Sequence, residues 1–598
     1  MNIKKSDLAK PLSQSIPDLF RQALEAQQAN NLTQSEHIYR QILTISPNHS
    51  DSLYNVGLIS LQMGHMDVAA NMLLKAATLD PSADVYCLLG LAQMNNNQEY
   101  QAISSYQKAL TLNPNEYMAH DYLGVLLCKQ YCYKEGLAHF HQAIAINPND
   151  SSALNNLALC LMQQGKYVEA ASYFRQAITI DPHAHSTYHN LLLCLCFDSN
   201  AFPKVYLEEA ARLDVILCAR SKAYTQWPSS TLSAQQPLRV GLVSGDLNNH
   251  PVGYFLESIL SSINSKKIEF FVYNTANYDD DLTNRIKPHI IQWVNISTLD
   301  DQQSARKIHT DGIHVLIDLV GHTAHNRLSL FAWRPAPIQV SWLGYFASTG
   351  LSFIDYFLAD PISISAQNMS HFTEQVRYLP ETRLCFTPPC INSTQELTPL
   401  PALNNGFITF GCFQTLSKVN DNMLTLWANI LHNCPNSKLM FKNKQIHDAS
   451  LKQELLTRLR HLGISSERII LEVAGSRANY LSAYRRVDFM LDTFPYPGGT
   501  TTCEALWMGI PTLTLAGNTL LEKQGAAMLS CVGLSDWITY NNEDYVQKAI
   551  AYAHNTSYLT ELRQHLRKQL EESPLMNAPR FVRHFEDILF SIWHEKMG

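Results

Sequence analysis

The chain has 598 residues, of which 46% are hydrophobic and 16% charged, and its net charge is −7. That length exceeds a single domain. With no long Lys/Arg run, nucleic acid is not the default partner, and no apolar run reaches the length of a membrane-spanning helix. The start, MNIKKSDLAKPLSQS, has no apolar segment after its lysines and does not resemble a secretory signal. None of the 13 cysteines stands at C-x-x-C spacing, which disfavours zinc and disulfide frameworks and predicts reduced thiols in the cytoplasm.

The first third is periodic. Prolines recur at Pro47, Pro81, Pro114, Pro148 and Pro182, at intervals of 33 or 34 residues. A small residue recurs in register (Ala23, Gly57, Gly90, Gly124, Ala158), and so does a large apolar one (Tyr39, Leu73, Tyr106, Phe140, Phe174). This is the period of tetratricopeptide repeats, in which each helix pair closes on a proline. The predicted repeats are 16–49, 50–82, 83–116, 117–150 and 151–184, with a partial sixth, giving an α-solenoid over 16–197. Such an array offers a concave groove to extended polypeptide. Asn55, Asn156 and Asn190 share one position of the repeat with Leu88 and Tyr122. Their amides could grip a peptide backbone or simply form a solvated helix face.

Residues 198–237 read as a linker that begins with a Pro-containing helix and ends in the polar text QWPSSTLSAQQP. Short β-rich runs then alternate with helical ones. The first set is 239–244, 270–275, 314–320, 338–344 and 353–360; the second, after the Pro-rich stretch 388–401, is 407–413, 437–442, 468–473, 488–493 and 511–516. The alternation predicts two parallel-sheet α/β lobes, 238–400 and 401–598, with a ligand cleft between them and a last helix near Ala578 to Trp593 packing back across them.

Polar loops at strand ends carry the candidate chemistry, because open α/β sheets hold ligands beyond the carboxyl ends of their strands. His250, in S-G-D-L-N-N-H-P-V, is placed to orient a substrate hydroxyl or take its proton, or else to cap the next helix. His322 ends the 314–320 strand on the cleft side, whereas His314 begins it and reads as structural. Gly344 and Gly350 leave room for close ligand approach. In the second lobe, Lys418 is a lone cation just past a strand, suited to a departing diphosphate. D-T-F-P-Y-P-G-G-T-T-T-C-E (492–504) reads as strand, turn and helix start, with Thr500, Thr501 and Thr502 as cap residues over a phosphate seat and Glu504 in the first turn, ready for a sugar or ribose hydroxyl. No D-x-D pair is present, which disfavours a Mg²⁺-dependent sugar-nucleotide site.

The repeat array followed by R-V-G-L-V-S-G-D-L-N-N-H-P-V, D-G-I-H-V-L-I-D-L-V-G-H-T, R-P-A-P-I-Q-V-S-W-L-G-Y and L-D-T-F-P-Y-P-G-G-T-T-T-C-E-A-L-W-M-G-I-P resembles the O-linked N-acetylglucosamine transferase and SPINDLY family from about residue 16 to 590. The resemblance implies a GT-B fold of two Rossmann-like lobes and metal-independent, inverting transfer of a sugar to Ser or Thr of proteins, with no cofactor besides the donor. By position, His250 matches the cleft histidine discussed as base or orienting residue, and Lys418 the lysine on the donor diphosphate. Thr500 and Thr501 match the pair at the phosphate-binding helix, His314 a second cleft histidine, and Glu504 the ribose-binding carboxylate. Thr415 stands where the animal enzymes have a donor-binding Gln; Gly499 and Tyr480 stand where they have His. Tyr480 could still stack on a nucleobase.

The expected function is therefore transfer of N-acetylglucosamine from UDP-GlcNAc to protein acceptors fed through the repeat groove. The alternatives are GDP-fucose as donor, implied by the plant SPINDLY branch, and an inactive repeat scaffold.

Overall fold

The structure is a computed structural model that describes residues 15–198, 202–228, 236–389 and 397–597. The polar end of the linker and half of the Pro-rich stretch 388–401 fall outside these residues. The chain divides into two compact units, one up to Cys160 and one from Leu161 onward.

The first unit is a stack of antiparallel helix pairs, each about one 13-residue and one 14-residue helix: Ile16–Gln28 with Leu32–Ile45, Ser50–Gln62 with Met66–Leu79, Ala83–Asn95 with Glu99–Leu112, and Tyr117–Lys129 with Tyr133–Ile146. The predicted small-against-large register is what closes each pair. A methyl group on Gly57, Gly90 or Gly124 would meet the side chain of Leu73, Tyr106 or Phe140 at 2.5, 2.7 and 2.7 Å. Those large side chains are buried, so the glycines exist to let the helices approach. Two of the register asparagines are already engaged within the array. Asn55 donates to the Asp51 carbonyl at 2.8 Å, and Asn156 donates to both carboxylate oxygens of Asp121 at 3.1 Å.

The second unit carries the helices Tyr167–Ile180, His185–Leu195 and Lys204–Arg220, then two parallel sheets. The first sheet contains β1 (Leu238–Ser244), β2 (Ile268–Asn274), β3 (Gln292–Asn295), β4 (Val315–Asp318), β5 (Ile338–Ser341), β6 (Tyr356–Ala359) and β7 (Gln375–Tyr378), in the order β3-β2-β1-β4-β5-β6-β7. The second contains β8 (Ile408–Cys412), β9 (Ser437–Asn443), β10 (Ile469–Val473), β11 (Phe489–Leu491), β12 (Thr512–Leu515) and β13 (Ile538–Thr539), in the order β10-β9-β8-β11-β12-β13. All ten predicted strands are present. The three missed ones, β3, β7 and β13, lie at sheet edges. β3 and β7 are partly exposed, and β13 has two residues, so none carries the continuous apolar run of a buried parallel strand.

Both sheets reverse direction at the same step, between β1 and β4 and between β8 and β11. The loops that leave those four strands are thus the natural ligand positions. The last helix, Ala578–Met597, returns to the first lobe as predicted: Phe585 packs on Trp342 at 4.8 Å between ring centres, and Lys267 pairs with Glu586 at 2.7 Å.

Candidate active site

A cavity of about 300 Å³ lies where the two sets of switch-point loops meet. The first lobe contributes His250, Phe255, Thr323, Leu343, Gly344 and Arg383; the second contributes Lys418, Tyr496, Gly499, Thr500, Thr501 and Gln524. Four of the nine predicted site residues, His250, Lys418, Thr500 and Thr501, are therefore brought together.

The candidate phosphate seat is built around Asp492, which lies in the strand run 488–493. One of its oxygens accepts from Gln414 Nε2 (2.8 Å), Gly498 N (2.7 Å) and Thr493 N (3.0 Å), and the other from Thr514 Oγ1 (2.9 Å). These bonds fold the 493–498 turn back over the sheet and aim the next helix, Thr500–Trp507, at the cavity. Burial lifts the Asp492 carboxyl to about 6, and the hydrogen bonds oppose that rise.

The helix start differs from the prediction. Its N-cap is Gly499, no side chain caps it, and the three threonines occupy the first turn. The Thr500 and Thr502 hydroxyls are buried and have no hydrogen-bond partner. Buried polar atoms are nearly always paired, and the first amides of a helix lack intrahelical acceptors. An uncapped helix start with orphan hydroxyls and one cation beside it suits an anion. Glu504 is the fifth residue of this helix, in its second turn rather than its first.

Lys418 supplies the cation. Its Nζ lies 3.3 Å from the centre of the Tyr496 ring and donates to the Pro497 carbonyl at 3.3 Å. Burial pulls its ammonium down to about 7, against the attraction of Asp492. An anion alongside would restore the charge. The repeat-side helices brace this loop: Tyr167 Oη donates to the Ser417 carbonyl at 2.7 Å, and Phe197 stacks on Tyr496 at 4.9 Å between ring centres. Tyr496 sits in the F-P-Y-P turn of the sequence motif. Its position between two prolines was the available signal.

His250 is both of the things the sequence allowed. It caps the helix Pro251–Ser262, with Val252 N donating to Nδ1 at 3.4 Å, and it faces the cavity. Asp246 Oδ2 is 3.7 Å from the same nitrogen. Burial lowers the ring below the ordinary histidine range while Asp246 works against that, so the imidazole is neutral at pH 7.

The other predicted residues lie elsewhere. His314 precedes β4 at the opposite, amino edge of the sheet; its Nδ1 accepts from Arg239 N at 2.9 Å and its ring abuts Trp593 at 4.9 Å. It is a structural histidine, as its place at the strand start indicated, and the cleft role implied by the resemblance is corrected. His322 is also structural. It donates from Nε2 to the Thr349 carbonyl at 2.8 Å, which leaves Nδ1 to accept from His189 at 2.7 Å and ties the helix His185–Leu195 to the first lobe. Thr415 is exposed and bonded to Ser417 at 3.1 Å. Tyr480 packs edge-on to Tyr484 at 5.7 Å in an apolar cluster. Neither lines the cavity. Glu504, whose carboxyl burial raises to about 7, is ion-paired with Arg477, which in turn lies over the Tyr254 ring of the first lobe at 4.9 Å. Gly344 lines the cavity, but the space beside it belongs to the backbone: a methyl group there would meet the Leu319 carbonyl at 1.9 Å. A methyl group on Gly350 would meet Ala210 at 2.3 Å, so neither glycine is spared for a ligand.

Two Rossmann-like sheets whose switch-point loops meet at one cavity, with an uncapped helix start on one side and a histidine on the other, form the two-lobe architecture of a GT-B glycosyltransferase. The profile of Glycosyl transferase family 41 matches residues 185–386 and 391–585, and tetratricopeptide repeat profiles match 50–82, 83–116 and 151–184. The chain belongs to glycosyl transferase family 41. It is 38% identical over 377 residues to the Hordeum vulgare protein described as a probable UDP-N-acetylglucosamine–peptide N-acetylglucosaminyltransferase SPINDLY; the match covers 62% of this chain and 40% of that one. The Arabidopsis thaliana SPINDLY protein is 36% identical over 375 residues, covering 62% and 41%. The chain thus spans about two fifths of the length of these relatives. Among solved structures, a mutant of the Thermobaculum terrenum O-GlcNAc transferase superposes with a TM-score of 0.80 at 27% identity, covering 86% of this chain and 98% of that one.

Proposed function

We propose that the chain transfers one N-acetylglucosamine from UDP-GlcNAc to Ser or Thr hydroxyls of proteins, in a single inverting displacement that needs no metal. The observation that carries this reading is the uncapped helix start at Thr500, with its orphan hydroxyls, beside Lys418. The family membership and the names of the relatives supply the sugar and the acceptor class.

The acceptor oxygen attacks the anomeric carbon as the bond to the nucleoside diphosphate breaks. Lys418, Thr500 and Thr501 hold the charge that develops on the diphosphate, the largest electrostatic demand of the step. His250, directly or through a water chain beside it, relays the acceptor proton: when its Nδ1–H faces Asp246 in place of the bond from Val252 N, the lone pair of Nε2 is free to take that proton and Asp246 stabilises the imidazolium. Glu504, the ribose ligand the resemblance implies, is buried and held by Arg477, so this pair backs the helix rather than entering the cavity. The repeat array presents extended acceptor segments.

The test is incubation of the purified chain with UDP-GlcNAc, GDP-fucose and a protein extract, followed by mass spectrometry. A hexosamine increment on Ser or Thr supports the reading. A deoxyhexose increment moves the donor to GDP-fucose, and no nucleotide binding by calorimetry leaves an inactive scaffold.

A further inference from the structure

Arg383 is 2% exposed yet lines the cavity. It lies beyond β7, in a loop where no sequence pattern marked it. Its guanidinium makes only long contacts: Nη1 to the Leu343 carbonyl at 3.4 Å and Nη2 to Gln524 Oε1 at 3.5 Å. It forms no ion pair among the described residues. Asp360 attracts it, but that carboxylate is committed elsewhere. Oδ1 accepts from Ile362 N and Ser363 N, and Oδ2 from Ser363 Oγ and from the backbone N–H of Arg383 itself. Burial pulls the guanidinium down to about 10, and it stays cationic at neutral pH. A buried charge without a paired partner is costly and persists where something else compensates it.

The contacts show what that something is. Gln524 Nε2 donates to the Gly498 carbonyl at 3.4 Å, and the same nitrogen would lie 2.9 Å from a methyl group on Gly499, the N-cap of the Thr500 helix. Arg383 thus reaches from the first lobe to the rim of the second lobe's phosphate seat. We propose that Arg383 is a donor-binding residue whose guanidinium takes an oxygen of the nucleoside diphosphate, so that the diphosphate is held by Lys418 from one lobe and Arg383 from the other. This rests on the reading of the cavity as a nucleotide-sugar site. It adds a ligand from the lobe that the helix start does not belong to.

The experiment is calorimetry of the full chain with UDP and with uridine, and with GDP and guanosine, for the wild type, Arg383→Met and Arg383→Lys. We expect Arg383→Met to weaken the bound diphosphate ten-fold or more while leaving the nucleoside unchanged, because the lost contact is to phosphate. Arg383→Lys keeps the charge but not the planar fork and should fall between. If Arg383→Met does not fold, Arg383→Lys decides: several-fold weaker diphosphate binding with unchanged nucleoside binding supports the proposal. Diphosphate affinity within two-fold of wild type in a folded variant overturns it, as does an equal loss for nucleoside and diphosphate. A wild type that binds neither UDP nor GDP removes the nucleotide-sugar reading instead.

Discussion

The two sheets of the second unit share a strand order, and each sends a helix toward the same cavity, but the two helix starts are finished differently. In the first lobe, His250 caps the helix Pro251–Ser262 and Pro251 removes one of the unpaired amides. In the second lobe, the helix Thr500–Trp507 has a glycine cap and two buried hydroxyls without partners. A satisfied helix start needs no ligand, so the first lobe can present the ring of its cap residue as chemistry. An unsatisfied one is itself the binding group. Under the proposed function, proton transfer falls to one switch point and charge stabilisation to the other.

Four results would break or sharpen that division. The largest effect is expected at His250. His250→Ala should lower turnover by about 10²- to 10⁴-fold with donor affinity nearly unchanged, measured as initial rates of transfer. Full activity would remove the proton role and leave only a cap. Lys418→Ala should lower turnover by about 10²- to 10³-fold, and, unlike the histidine variant, should also weaken UDP binding. Undiminished UDP affinity would take the diphosphate away from this seat.

The third result concerns pH. Lys418 releases its proton near pH 7 in the free protein, and the anion binds the protonated form. UDP affinity should therefore be full below pH 7 and fall by up to about ten-fold per unit above it, until the pKa of the bound state is reached. A flat profile between pH 6 and 9 in calorimetry would contradict a lysine held down by burial. The smallest effect is expected at Thr500. Thr500→Ala removes a hydroxyl with no partner in the protein, so melting temperature should hold or rise slightly while UDP affinity drops by about three- to ten-fold. A clear loss of melting temperature with unchanged UDP affinity would show a structural hydroxyl.

Much of this was legible before folding. The 33- or 34-residue spacing set the helix pairs, because each glycine and its bulky partner must meet once per unit. Apolar runs located the buried strands, while β3, β7 and β13, at the sheet edges, left no such mark. Lys418, His250, Thr500 and Thr501 were legible as residues following strand ends, since a parallel strand delivers its next loop to one edge of the sheet. His314 shows the same rule in reverse: as the residue before a strand, it is carried to the far edge.

The sequence by itself determined the repeat period, the α/β alternation and the edge of each sheet on which a loop falls, because these depend on local periodicity and chain direction. Only the tertiary structure decided which polar atoms go unpaired. Whether Thr500 caps a helix or is left waiting, whether Glu504 is free or held by Arg477, and whether Arg383 has a counter-ion depend on neighbours up to 141 residues away in the chain, such as Gln524 beside Arg383. Burial and hydrogen-bond competition act through space, and no spacing along the chain records them.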